Sequence, residues 1–301
     1  MDMNLTEPRV IHSGFPVFIF SNPIDPALFA RLKEEFPLRH QATGDSEFFS
    51  EAHSASGDGK LQSLVAESPA WSAFVAELLD ESFKKSLMAL LYSSRREWTS
   101  TFDYLRLLVR TVTTRTYVTV SLHSGIRGYG LSPHTDKADK FAALILYFGG
   151  EDESEISQGG TTFFQPKSVH RSRKYLRRQT GLDRGIWSLV PFKLLPLTSA
   201  VLPRTYNAAD HQANIGNREI REFRDYHEPF YTSRFTPNTL ALFFKDQLTW
   251  HEVDLSEFPA GVERRTLLIN VYCSPSHPVR LVHKIRQLIT RLKLRGAKFA
   301  A

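Results

Sequence analysis

His134 and Asp136 stand two residues apart in the stretch YGLSPHTDKADKFAALILY, residues 129–147. Two residues is the repeat of a β-strand, so an imidazole and a carboxylate at this spacing leave the same face. Aimed at one point, they make two legs of a facial metal triad, which holds one side of an ion and leaves the other open. The triad needs a second histidine. The best placed is His251, in NTLALFFKDQLTWHEV, because Arg264, Arg265 and Thr266 follow it by thirteen residues and begin another apolar run, LLINVYC. His211 and His227 are the alternatives, but neither is followed by an Arg-x-Ser/Thr strand at comparable distance.

The elements that must bring these residues together read mainly as strands. Residues 1–24 look irregular and end in a short strand, VFIF. Asp25 and Pro26 then open a helix with Ala27, Leu28, Leu32 and Phe36 along one side, and Pro37 stops it. Residues 38–60, rich in small polar types, read as an exposed loop. Ser68 and Pro69 open a longer helix whose stripe of Trp71, Phe74, Val75, Leu78, Leu79 and Phe83 runs to about Leu91 and is a packing face. From Leu105 onward strand-like runs dominate: YLRLLVRTV, TYVTVSLH, FAALILYF, TTFFQP after Gly159-Gly160, YHEPFYTSRF, TLALFF and RRTLLINVYC. Short strands between turn residues, with no alternation of strand and helix, predict an antiparallel sandwich or barrel.

The expected organisation is a single domain over residues 1–301: an N-terminal helical and irregular region at 1–104, a β core at 105–275 carrying an insertion at 167–236, and a basic helix at 276–301. The insertion opens with KSVHRSRKYLRR and reads either as a lid or binding loop or as a solvated helical decoration. In the last segment Val282, Ile285, Leu288, Ile289 and Leu292 share one side of an amphipathic helix, suited to a membrane surface, to nucleic acid or to self-association.

Composition narrows the classes. With 301 residues and 42% hydrophobic content the chain can bury a sizeable core. Seven basic residues and no acidic one lie beyond Ser276, so without them the net charge of +6 becomes about one negative. The body is therefore nearly neutral, which disfavours nucleic acid as its partner. A single cysteine, Cys273, excludes a disulfide framework and a cysteine-based zinc site, leaving nitrogen and oxygen to hold any metal. The N-terminus shows no basic n-region or long apolar run, and the expected compartment is the cytoplasm.

The order of parts is a glycine-rich approach (Gly125, Gly128, Gly130), His134-Thr135-Asp136, a strand, Gly159-Gly160-Thr161-Thr162-Phe163-Phe164, then Pro237-Asn238-Thr239-Leu240, His251 and Arg264-Arg265-Thr266. In this order the sequence resembles the Fe(II)/2-oxoglutarate-dependent oxygenases, and within them the prolyl-hydroxylase-like group, over residues 117–273. The resemblance implies a double-stranded β-helix, the jelly-roll or cupin-like core, with N-terminal helices and a C-terminal helix. It implies Fe(II) held by His134, Asp136 and His251, with 2-oxoglutarate and O2 as co-substrates and room for ascorbate as a cofactor. Arg264 would pair with the distal carboxylate of 2-oxoglutarate, Thr266 would add a hydroxyl, and Tyr147 would touch the same molecule. Arg264 and Thr266 share the strand repeat, although a one-residue slip would put Arg265 in place of Arg264. His123 is a candidate lining residue.

The activity implied is that of a dioxygenase, hydroxylating a small or medium-sized metabolite of anionic character and releasing succinate and CO2. Asp136 argues against halogenation, because halogenating relatives carry a small residue there. A non-catalytic cupin-like barrel that binds a metal or ligand, and an oxidative demethylase acting on nucleic acid, are the competing classes.

Overall fold

Ten consecutive residues, KFAALILYFG from Lys140 to Gly149, form strand β6, and every one is buried. A strand with no solvent face must be covered on both sides, and the other elements form layers around it. The computed structural model describes residues 3–13, 15–37, 49–52, 60–98, 101, 104–105, 107–108, 114–136, 140–149, 158–171, 175, 217–245 and 249–275.

Ahead of β6 run β1 (Arg9–Ser13), β2 (Phe15–Ser21), β3 (Phe49–Ala52), β4 (Thr114–Gly125) and β5 (Gly130–His134). After it come β7 (Thr162–Pro166), β8 (His227–Thr232), β9 (Thr239–Phe244), β10 (Trp250–Asp254) and β11 (Arg264–Pro275). They make a seven-stranded sheet in the order β1-β2-β9-β6-β11-β4-β3 and a four-stranded sheet in the order β5-β10-β7-β8. Each pairing is antiparallel. From β4 to β11 the chain passes back and forth between the sheets, so strands distant in sequence become neighbours. β10 lies between β5 and β7, which sets His251 directly opposite His134.

Two apolar cores follow from the period of two along the strands. One face of the large sheet, with Val118, Val120, Leu122, Leu144, Leu146, Phe148, Ile269 and Val271, packs against helices α1 (Pro26–Glu34), α2 (Lys60–Glu67), α3 (Pro69–Leu79) and α4 (Glu81–Ser93). Trp71 of α3 stacks on Phe148 at 5.7 Å between centroids. The other face, with Ala143, Ile145, Tyr147, Ala241 and Phe243, meets Phe163, Val253 and Leu255 of the small sheet side. A short helix, α5 (Asn217–Tyr226), covers the outside of the small sheet, where Phe223 packs on Phe164 and Trp250.

The expected N-caps are in place. Asp25 accepts hydrogen bonds from the Ala27 and Leu28 amides at 3.0 and 3.1 Å, and Ser68 accepts from Trp71 at 3.1 Å. The helix expected to run unbroken to about Leu91 is instead two, because Asp80 is extended and caps α4 through the Ser82 amide at 2.7 Å. Both helices bury apolar residues in the same core, so the stripe continues across the break.

Other boundaries shift for equally local reasons. The lead-in expected to be irregular contains β1, and the expected loop at 38–60 contains β3. The core was expected from residue 105, but Tyr104, Leu105, Leu107 and Leu108 are helical and the first core strand starts at Thr114. Buried Tyr104 and Leu107 lie one helical turn apart while Leu105 is exposed, a helix spacing hidden in a short apolar run. β8 belongs to the small sheet, so the expected insertion at 167–236 ends before His227. Most of that insertion, and the basic segment 276–301, lie outside the described residues.

Candidate metal centre and its cavity

His134 ends β5, and His251 is the second residue of its partner β10. Their rings lie 4.3 Å apart between centroids. Asp136 falls two residues beyond the end of β5 rather than within the strand as its spacing suggested, yet it reaches the same point. One ligand atom from each of His134, Asp136 and His251 lies within 4.8 Å of the others, and all three residues are buried. The structure therefore brings together the two residues that stand two apart in sequence and the distant histidine.

The hydrogen bonds fix which nitrogens are free to bind. His134 Nδ1 donates to the Ser132 carbonyl at 2.8 Å and His251 Nδ1 to the Thr249 carbonyl at 3.1 Å. A carbonyl only accepts, so each Nδ1 carries the proton and each Nε2 presents a lone pair. Burial lowers the pKa of both rings, that of His251 to about 3, so both stay neutral. For Asp136 burial acts upward, but Lys140, then His251 and His134, outweigh it and hold the carboxyl below the usual carboxylate range. Lys140 Nζ donates to Asp136 Oδ1 at 2.5 Å, while the buried Oδ2 has no hydrogen-bond partner and lies 4.0 Å from His251 Nε2.

Two neutral imidazoles, one ionised carboxylate and an orphaned buried oxygen at their meeting point suit a divalent first-row transition metal. The protonation of all three donors is already the one that metal binding requires.

Also between the sheets, Arg264 and Thr266 share one face of β11, with guanidinium Nη1 3.4 Å from the Thr266 hydroxyl. Arg264 Nε donates to the Gly159 carbonyl, and the guanidinium carbon lies 5.6 Å from the Tyr147 ring centre and 5.9 Å from that of Phe235. Arg265 points to the opposite face, over Phe36 in the helix-side core at 5.9 Å. The register thus selects Arg264 for the space between the sheets. It is a buried cation whose contacts among the described residues are neutral, a costly arrangement unless an anion joins it.

Tyr147 is fully buried, and its hydroxyl bonds Thr161 Oγ1 at 3.0 Å and Ser233 Oγ at 2.6 Å. Its ring forms the wall beside Arg264. His123 pairs in register with Thr266, and burial, then Arg264 and Lys140, lower its pKa to about 3. His227 lies apart from the centre, stacked on Phe223 at 4.3 Å under α5, and His211 lies outside the described residues.

Lys140 and Ser233 were not singled out from the sequence, and Gly159 stood there only as half of a glycine pair ahead of a strand, not as a partner of Arg264. A lysine directly abutting the wholly apolar FAALILYF was the one available signal, since a buried cation needs a partner. The Gly159 carbonyl and the Ser233 hydroxyl act through backbone placement, which residue type does not reveal.

No protein-family model matches the chain, and no curated protein does. Among solved structures it is similar to a prolyl-4-hydroxylase from Pseudomonas putida, at 11% identity over 86% of this chain and 92% of that one, with a TM-score of 0.41. It is also similar to an oxidoreductase of the 2OG-Fe(II) oxygenase family from Burkholderia pseudomallei, at 8% identity over 85% and 84% and a TM-score of 0.40. A third is HygX from Streptomyces hygroscopicus, with nickel and 2-oxoglutarate bound, at 10% identity over 88% and 84% and a TM-score of 0.40. At identities this low the chemistry of the site rests on its own side chains.

Proposed function

We propose that the chain is an Fe(II)- and 2-oxoglutarate-dependent dioxygenase, hydroxylating a small or medium-sized metabolite, built on a double-stranded β-helix within a single domain. The observation that carries the reading is the buried convergence of His134, Asp136 and His251 with free Nε2 and Oδ2 atoms at its centre. Arg264, a buried cation whose contacts among the described residues are neutral, supports a dicarboxylate co-substrate. Fe(II) held this way supplies oxidative chemistry with O2 and 2-oxoglutarate, with release of succinate and CO2; ascorbate would act only to maintain the reduced metal.

Each residue has a task in this reading. His134 and His251 hold the ion through Nε2, and their Nδ1–H bonds to backbone carbonyls fix the ring planes. Asp136 offsets one of the two metal charges and keeps Oδ2 toward the ion. Arg264 receives the distal carboxylate in a fork that a lysine would not reproduce, Thr266 adds its hydroxyl, and Tyr147 walls the guanidinium into place. The proposed compartment, the cytoplasm, rests on the sequence alone; among the described residues no helix is long and apolar enough to cross a membrane.

The test is anaerobic addition of Fe(II) and then 2-oxoglutarate, followed by the metal-to-ligand charge-transfer absorption of the chelate. The band is expected for the unmutated protein, absent in His134→Ala and displaced to much higher 2-oxoglutarate concentration in Arg264→Ala. A protein that takes up no Fe(II), or takes it up and shows no band at any 2-oxoglutarate concentration, overturns the reading.

A further inference from the structure

The face that β4 and β11 turn toward the small sheet changes character along its length. On β4, Val118, Val120 and Leu122 belong to the helix-side core, and on β11 so do Ile269, Val271 and Cys273. The residues between them therefore face the small sheet. Tyr117 pairs with Tyr272 in register, and Thr119 pairs with Asn270 one strand repeat further in. Tyr272 is also opposite Lys140, whose ammonium group holds Asp136 Oδ1. This wall thus begins beside the metal centre's own carboxylate.

The two tyrosine rings are offset-stacked, 5.4 Å between centroids and 17° between planes. Tyr117 is 45% exposed and Tyr272 half-buried, whereas the rings that fill the space between the sheets elsewhere, such as Phe163 and Phe243, are fully buried. Thr119 and Asn270 are half-buried beside them. A partly exposed aromatic pair, followed one strand repeat along by a hydroxyl and a carboxamide, is the composition of a ligand site rather than of a packing core.

We propose that Tyr117 and Tyr272 form a stacking platform for the substrate at the mouth of the metal centre, and that the substrate carries a planar unsaturated ring with a hydrogen-bonding substituent directed toward Thr119 and Asn270. This deepens the dioxygenase reading and rests on it for the identity of the site as a substrate pocket. The ring adds a third layer to the stack, and the polar pair orients it so that an attached carbon, rather than the ring face, turns toward the metal.

The probe is 4-hydroxybenzamide, which is neutral and so does not compete for Arg264, compared with its saturated counterpart 4-hydroxycyclohexanecarboxamide. Both are added to full-length protein loaded with Mn(II) and 2-oxoglutarate, and binding is read from saturation transfer to the probe protons, while their paramagnetic relaxation reports closeness to the metal. The planar probe is expected to bind with relaxation enhanced by Mn(II), and to lose about three- to tenfold in affinity in Tyr117→Leu and Tyr272→Leu, the range expected for a lost stacking contact. Tyr117→Phe is expected to retain binding. Leucine keeps apolar volume at a half-exposed position and removes only the flat face, and circular dichroism confirms that each variant folds. No binding of the planar probe, equal binding of the saturated one, or undiminished binding in both leucine variants overturns the platform. Uptake of Mn(II), followed separately by loss of the free-ion electron paramagnetic resonance signal, tests the metal centre; its failure sinks the dioxygenase reading, while saturation transfer still decides whether the ring binds.

Discussion

Arg264 and Arg265 are adjacent and chemically identical, and the structure gives them opposite surroundings. One guanidinium sits among Gly159, Thr266, Tyr147 and Phe235 between the sheets, and the other lies over Phe36 under the helices. Replacing each by lysine keeps the charge and removes the planar fork. Arg264→Lys is expected to weaken 2-oxoglutarate binding about tenfold, the scale of one lost charge-assisted hydrogen bond, and Arg265→Lys to leave it unchanged; a charge-transfer titration of the Fe(II) proteins reads both. Equal effects would place the co-substrate elsewhere.

Lys140 poses a second residue-scale question, because it neutralises a carboxylate that the metal would also neutralise. Lys140→Met leaves Asp136 as a buried anion with no paired lysine or arginine among the described residues of the metal-free protein, at a cost on the order of 3 kcal/mol. A divalent ion restores a counter-charge. Melting of the variant is therefore expected to fall well below that of the unmutated protein without metal and to recover most of the difference with saturating Mn(II). A loss of the same size in both conditions would mean that Lys140 acts through packing alone.

At the scale of elements, the site depends on a close crossing between the entry to β7 and the turn after β8. A Cβ added to Gly160 would stand 1.5 Å from the Ser233 carbonyl oxygen. Gly160→Ala must push the two segments apart, breaking the hydrogen bond that the Ser233 N–H donates to the Thr161 carbonyl at 3.0 Å and the hydroxyl network that holds Tyr147. The expected loss is about 3 kcal/mol or more in urea unfolding. Gly261→Ala has a left-handed φ of 79° but open space around it, so only about 1 kcal/mol of backbone cost is expected. If Gly160→Ala unfolds at the same urea concentration as Gly261→Ala, the crossing is looser than its geometry indicates.

These elements also show what the sequence could disclose. TLALFF, FAALILYF and RRTLLINVYC are strands in the structure because β-branched and aromatic residues in short runs favour a pleated, covered surface. The meeting of His134, Asp136 and His251 was legible from one strand repeat and one distant histidine. The break at Asp80 was not, since capping uses a side chain that the apolar stripe does not register. Nor was the helical character of Tyr104 to Leu108, too short for its period to be told from a strand. Lys140 escaped because a lone lysine beside an apolar run is ordinarily a solvated end, and only the fold turns it inward.

Across the whole molecule, the layers on either side of the large sheet leave several histidines buried and neutral. His227 is 1% exposed, stacked on Phe223, with Nδ1 3.1 Å from the Phe223 carbonyl, and burial lowers its pKa to about 4. His123 and His251 are lowered to about 3, and His134 in the same direction. Unfolded, each would bind a proton below about pH 6.5. The unfolded chain then holds more protons than the native one, so stability is complete above about pH 6.5 and declines as the pH falls toward 4. His227 alone would contribute a decline of about 3 kcal/mol across that window, at roughly 1.4 kcal/mol per pH unit, with little further change of its own below it. Urea unfolding of the metal-free protein between pH 7 and pH 4 measures the total. In His227→Phe the ring stack on Phe223 is kept and the titrating group removed, so the variant is expected to be somewhat weaker at pH 7, having lost one hydrogen bond, but to lose stability less steeply on acidification. Parallel pH profiles for the two proteins would show that His227 is protonated in the native state, and that the layer formed by α5 over the small sheet admits water.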